Sequence, residues 1–260
     1  MMPAVKKPTQ RRTATPTWLV PAVVAAVVAV LLAVTLTTGD SSEGAEDNDA
    51  APSATAAGDD PSADEQAGEQ QAGEEQAAAR ALERHDPDDP LTAGPMDAPI
   101  TMVVFSDYQC PFCAAWSHET LPEMREYVEA GDLRIEWRDV NIMSDVSEVA
   151  AAGAYAAGLQ DRFWDYHELL FPDGDIRSAS ELTDDGLVEL AAELGLDQER
   201  FADDMSASGT IDAVDHNAAE GLAAGVYSTP SFIIDGQPIL GAQPTQVFIE
   251  LIEQALADGD

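Results

Sequence analysis

The chain has 260 residues, enough for one domain with a substantial core plus extensions, and a formal net charge of -37. All 49 carboxylates follow residue 39, where they face eight arginines and no lysine. Such a surface repels phosphate backbones and argues against nucleic-acid binding. It reads as solubility or salt adaptation, with an acidic docking face for a basic partner as the alternative. The only two cysteines stand three positions apart, so the chain is not a scaffold stapled by several disulfides.

Residues 1–17 carry Lys6, Lys7, Arg11 and Arg12 and no acid, and read as a short basic cytoplasmic segment. Residues 18–38 hold no charge. At ~1.5 Å per residue they are long enough to cross a bilayer as a transmembrane helix. The positive-inside rule then places the rest of the chain outside the cell, as the extracytoplasmic part of a single-pass membrane protein. A cleaved signal peptide is the alternative, although its apolar region usually runs ~7–15 residues. Residues 39–94 are mostly Asp, Glu, Ala, Gly, Ser and Gln, which predicts a disordered acidic linker. A transient helix over 62–84 fits their Ala, Glu and Gln content, with no apolar stripe to dock it.

The folded domain is expected over 95–260. Residues 100–105 form a β-branched apolar run that reads as a buried strand. A helix opens near Cys110 and Pro111, proline being suited to the first helical position. Phe112 and Trp116 share a face that Leu121, Met124 and Val128 extend, and Pro122 should kink the helix. Residues 133–137 alternate as a second strand, completing a right-handed parallel β-α-β unit. A helical block of about 144–222 follows, with Thr183 and Asp197 as helix caps and Ile211, Val214, Ala218 and Leu222 lining its last helix. Residues 231–234 return to strand, Asp235 and Gly236 signal a hairpin, and Pro244 opens a final helix. The fold class is α/β, a central mixed sheet with an inserted helical subdomain.

Cys110-Pro111-Phe112-Cys113 follows the first strand and opens the first helix. Residues i and i+3 of a helical turn bring two α-carbons to the ~5–6 Å that a disulfide needs. Cys110, at the exposed end, is placed as the attacking thiolate, favoured by unpaired N–H groups and the positive helix end. Cys113, one turn deeper, is placed to resolve a mixed disulfide. A structural disulfide and half of a zinc site are the alternatives. Zinc normally takes four ligands, and His118 and His167 show no ligand spacing, so neither metal nor cofactor is expected.

Residues 105–113, Phe-Ser-Asp-Tyr-Gln-Cys-Pro-Phe-Cys, resemble the active-site segment of the DsbA-like branch of the thioredoxin superfamily, closest to its extracytoplasmic, often membrane-anchored members. Ala98-Pro-Ile-Thr101, Phe163-Trp-Asp-Tyr-His167, Gly225-Val-Tyr-Ser-Thr-Pro-Ser-Phe232 and Gly241-Ala-Gln-Pro244 match in the same order. The resemblance covers about residues 95–257. It implies a thioredoxin-like fold and a thiol-disulfide oxidoreductase that introduces or exchanges disulfides in exported, cysteine-containing polypeptides. A membrane or extracytoplasmic redox partner would reset the pair. The resemblance also implies that Pro230 is a cis-proline facing the cysteines. The backbone of Thr229 would dock substrate, with Pro111 and Phe112 in support.

Two departures stand out. Many relatives carry a buried acid where this chain has Val104, which leaves Asp107 as the nearest carboxylate for proton transfer. Phe112, between the cysteines, cannot hydrogen-bond a thiolate, so the Cys110 pKa is expected between about 3.5 and 7. The oxidase direction is favoured, and Thr229 in place of valine keeps a reductase or isomerase open. A non-catalytic peptide-binding module with a static disulfide is the remaining alternative.

Overall fold

The computed structural model of the chain describes residues 61–259. Strands β1 (Thr92–Ala93), β2 (Ile100–Ser106), β3 (Leu133–Asp139), β4 (Ser231–Ile234) and β5 (Gln237–Leu240) form one mixed sheet in the order β1-β3-β2-β4-β5. Every residue of β2 is buried, as its β-branched run predicts for a central strand. It pairs parallel with β3, Val104 against Trp137, and antiparallel with β4, Val104 against Phe232. Asp235 (φ 48°) and Gly236 (φ 78°) both adopt positive φ, which matches the right-handed strand twist and closes the β4–β5 hairpin.

Nine helices are described: α1 (Pro61–Arg80), α2 (Pro111–Glu119), α3 (Leu121–Ala130), α4 (Asp145–Gly158), α5 (Phe163–Leu170), α6 (Asp184–Glu193), α7 (Gln198–Ser206), α8 (Ser208–Ala223) and α9 (Thr245–Gly259). Helices α4 to α8 are the helical insert. Its caps form as the sequence predicts: the Thr183 hydroxyl accepts the Gly186 N–H at 3.2 Å, and the Asp197 carboxylate the Arg200 N–H at 3.1 Å. In α8, Val214 is buried, but Ile211 and Leu222 are exposed. The helix turns Gly221 inward instead, because a Cβ there would stand 3.1 to 3.2 Å from Val140 and Phe105.

Pro122 does more than kink the first helix. Proline lacks an N–H and its ring displaces the carbonyl four residues back. The helix breaks at Thr120 (φ -111°), giving α2 and α3. The Thr120 hydroxyl lies 2.8 Å from that of Thr245 at the start of α9. Trp116 of α2, Phe232 of β4 and Phe248 of α9 stack together, with ring centroids 4.7 to 5.7 Å apart. This is the centre of the larger core; Val103, Phe105, Val140, Val226 and Ile233 make a smaller one on the other sheet face.

Ordered chain begins well before residue 95. Helix α1 forms within the stretch that reads as linker, and the residues after it pack against the sheet. Leu91 is buried. The backbone N–H groups of Arg84 and His85 each donate to the Glu136 carboxylate at 2.9 Å. The Arg84 guanidinium reaches Glu220 at 2.7 Å and Asn217 at 2.8 Å. Arg138, fully buried, bridges Glu136 (2.9 Å), Asp89 (3.1 Å) and Glu220 (3.3 Å). Composition misses this ordering because it comes from a few apolar anchors such as Leu91 and from long-range polar contacts, not from a large apolar area.

The expected membrane localisation is corrected. Among the described residues no helix is long and apolar enough to cross a membrane. Helix α1 has the length, at 20 residues, but carries five carboxylates, each costly in hydrocarbon. The uncharged stretch 18–38 lies outside the described residues.

Candidate active site

Cys110 caps the N-terminus of α2 with extended backbone (φ -95°, ψ 114°), and Pro111 takes the first helical position. The carbonyl of Cys110 accepts the N–H groups of Cys113 and Ala114 at 3.0 and 3.2 Å, so the motif is itself the first helical turn. Both cysteines are free thiols.

Cys110 is not at an exposed end: only 2% of it is accessible. The loop before β4 covers it. Thr229 and Pro230 are joined by a cis peptide bond, and the Cys110 thiol donates to the Thr229 carbonyl at 3.2 Å. The Thr229 hydroxyl is buried beside the same sulfur with no oxygen or nitrogen partner. Phe112 and Trp116 do not share an environment. Phe112 is 68% exposed and Trp116 is buried, although Cys113 and Ala114 of the same first turn are in the core.

The two thiols differ sharply in acidity. The Cys110 pKa is lowered to about 6, chiefly by a hydrogen bond from the Cys113 thiol to the Cys110 sulfur. The Thr229 hydroxyl and the N–H groups of Cys113 and Phe112 act in the same direction, against burial. Burial pushes the Cys113 thiol far up, and the charge on Cys110 adds to that. At neutral pH the pair therefore holds one thiolate, on Cys110, and one thiol.

Asp107 is fully buried and accepts three hydrogen bonds: from Gln109 N–H (2.7 Å), the Ser147 hydroxyl (2.7 Å) and Met143 N–H (2.9 Å). These tie the active-site loop to α4, and the carboxylate is occupied by that work. Asp139, at the end of β3 and in register with Ser106, has a buried oxygen without a partner. Its Oδ1 accepts the Trp137 Nε1–H at 3.0 Å. Burial raises its pKa to about 7. Sequence reasoning missed Asp139 because the alternation that marks β3 was legible only to residue 137.

Behind the pair, the Tyr108 hydroxyl lies 3.2 Å from His167 Nδ1, and His167 Nε2 lies 3.0 Å from the Ser117 hydroxyl. Burial lowers the His167 pKa to about 3, so the ring is neutral and its two nitrogens link α5 to α2 and to the active-site loop. Among the described residues no three His, Cys, Asp or Glu side chains cluster as metal ligands.

Residues 86–254 match the family model described as Thioredoxin. The chain is 30% identical over 170 residues to a Na(+)/H(+) antiporter NhaA of Herminiimonas arsenicoxydans, a match covering 65% of this chain and 26% of that protein. It thus spans about a quarter of that relative's length. It is 25% identical over 148 residues to a probable disulfide bond formation protein D of Bacillus cereus, covering 55% of this chain and 68% of that one. BdbD from Bacillus subtilis, in an oxidised crystal structure, shares the fold with a TM-score of 0.57 at 24% identity, over 64% of this chain and 92% of that one. With more than half of its length matched by the family model, the chain belongs to the thioredoxin family.

Proposed function

We infer that the protein is a thiol-disulfide oxidoreductase acting through Cys110 and Cys113, with oxidation of dithiols as its favoured direction. The observation that carries the reading is the split in acidity between two thiols on one helical turn. In the oxidised pair, a substrate thiolate attacks the Cys110 sulfur. The Cys110–Cys113 bond breaks, and Cys113 leaves with the electron pair and takes up a proton, as its high pKa requires. A second substrate thiolate then attacks the substrate sulfur of the mixed disulfide and releases Cys110 as a stable thiolate. Two electrons have passed from substrate to protein, and a separate redox partner removes them.

Lowering a thiol pKa from 9.0 to about 6 stabilises the reduced form at pH 7. The gain is roughly tenfold, equivalent to ~1.4 kcal/mol or ~30 mV of oxidising power. That is a moderate oxidant, consistent with a phenylalanine whose side chain, unlike its N–H, offers the thiolate no hydrogen bond. The substrates are cysteine-bearing polypeptides, exported ones by the DsbA-like resemblance. They bind extended along Thr229, whose backbone must give up its contact with the Cys110 thiol to receive them. The test pairs oxidation of reduced, unfolded ribonuclease with reduction of insulin. Oxidation should dominate and vanish in Cys110→Ser. Ribonuclease oxidation that persists in Cys110→Ser would overturn the assignment.

A further inference from the structure

The smaller core leaves the second face of the sheet thinly covered. Helix α8 reaches that face where Gly221 lets its backbone approach Phe105. Helix α1 lies over the rest, touching it with Ala79, with Leu82 just beyond its end. Its hold on the β4–β5 hairpin is small: an Arg80–Asp235 ion pair at 2.8 Å and a Gln76 amide donating to the Asp235 carbonyl at 3.2 Å. Between α1 and the hairpin remains a groove of about 890 Å³, walled by Ala79, Leu82, Ile233 and Pro238 and reaching Tyr227 and Ser228. Helix α1 lies outside residues 86–254, the part matched by the family model.

Three observations point to an occupant. The groove ends at Ser228, next to Thr229, whose carbonyl meets Cys110. Its mouth carries two large apolar side chains held out in water, Tyr227 at 78% and Leu240 at 68% exposure. Among the described residues its charged lining is Glu75, exposed on α1, and Glu220, which Arg84 and Arg138 already pair, with no lysine or arginine. We propose that this groove receives the part of a substrate polypeptide beside its reactive cysteine, and prefers an apolar side chain next to a lysine or arginine. The inference rests on the thiol-disulfide reading of Cys110. Apolar walls gain by covering a leucine- or phenylalanine-sized group, and Glu75 on a chain of net charge -37 attracts a cation while repelling an acidic segment. A second copy of this chain, with the same acidic coat, is repelled.

The test uses the oxidised full chain and three dicysteine peptides of equal length whose residues flanking one cysteine are Phe-Lys, Ser-Lys or Phe-Asp. Rates are read by acid quench and mass spectrometry and divided by the rate with dithiothreitol. The Phe-Lys peptide should react about tenfold faster than the other two. Ala79→Trp, which fills the groove, and Leu240→Ser, which strips apolar surface from its mouth, should each shrink the Phe-Lys over Ser-Lys preference to about twofold or less. Equal rates for all three peptides, or a preference that survives both substitutions, overturns the groove and leaves the thiol chemistry standing. A chain inert toward dithiothreitol and every peptide overturns the redox reading and this inference together.

Discussion

The Cys110 thiol and the Thr229 carbonyl oxygen stand 3.2 Å apart, although 119 positions separate the two residues in the chain. Thr229 thus offers the sulfur two groups of opposite preference. Its carbonyl accepts from the thiol, and its hydroxyl, buried nearby without a hydrogen-bond partner, favours the thiolate. Thr229→Val keeps the first and deletes the second. The Cys110 pKa should rise from about 6 by roughly half a unit to one unit, read from the ultraviolet absorbance of the thiolate. An unchanged midpoint would remove Thr229 from the account of the acidity.

The Cys113 thiol is the larger influence on Cys110. Cys113→Ala deletes its donor, and Cys113→Ser replaces S–H with O–H. The alanine variant should raise the Cys110 pKa by about one unit or more, and the serine variant by less. Mixed with a disulfide-bearing substrate, whose bond Cys110 opens with release of one substrate thiolate, both should accumulate the mixed disulfide, visible by mass spectrometry, because Cys113 is no longer present to displace the bound half.

A lowered thiol pKa in the folded state is also a statement about stability. The pKa of Cys110 falls from an ordinary thiol value to about 6 on folding. The reduced protein therefore gains stability that is fully present above the unfolded pKa and is lost as pH falls through about 6. Chemical denaturation of the reduced chain against Cys110→Ser should show a gap that widens from pH 6 to pH 9, by on the order of 2 to 4 kcal/mol. A constant gap across that window contradicts the assignment.

Asp139 works in the opposite sense. Its folded pKa is raised to about 7, so its favourable contribution is full below the unfolded carboxylate value and disappears as pH rises through about 7. Asp107 reinforces the shift, and Arg138 and the Trp137 indole oppose it. Asp139→Asn keeps an oxygen for Trp137 and removes the charge. Relative to the unaltered chain it should be more stable at pH 8 than at pH 5, by roughly 2 to 3 kcal/mol in denaturation midpoints at the two pH values. A pH-independent difference would show that the carboxylate does not titrate in this window.

Two arginines of the N-terminal docking network should respond very differently to removal. Arg138→Met strands the buried Glu136 carboxylate next to Arg134 alone and should cost about 3 to 5 kcal/mol. Arg80→Ala breaks an ion pair whose arginine side chain is half exposed, and should cost under about 1 kcal/mol. Urea midpoints of the two variants decide the ranking.

The parts of the fold visible in the sequence are those that local chemistry specifies. The β-branched run of β2, proline after Cys110, the Thr183 and Asp197 caps and the Asp235-Gly236 turn each act on their immediate neighbours. What stayed hidden depends on distant partners. Arg134, Glu136 and Arg138 alternate with apolar residues in β3, a pattern normally read as a solvated face. Instead they are buried beneath residues 84–91 and α8, so the polar face of β3 and the ordering of the acidic segment are one fact. The burial of Cys110 was hidden for the same reason, since its cover arrives from Thr229.

The break at Thr120 gives the redox helix a second attachment. Helix α2, capped by Cys110, ends after about two and a half turns, where the Thr120 hydroxyl meets that of Thr245 at the head of α9. The tilt of the cysteine-bearing turn is therefore set from its far end as well as from the sulfur end. Loosening the last helix would let the whole short rod pivot and detune both thiols, with no atom near the reactive sulfur altered.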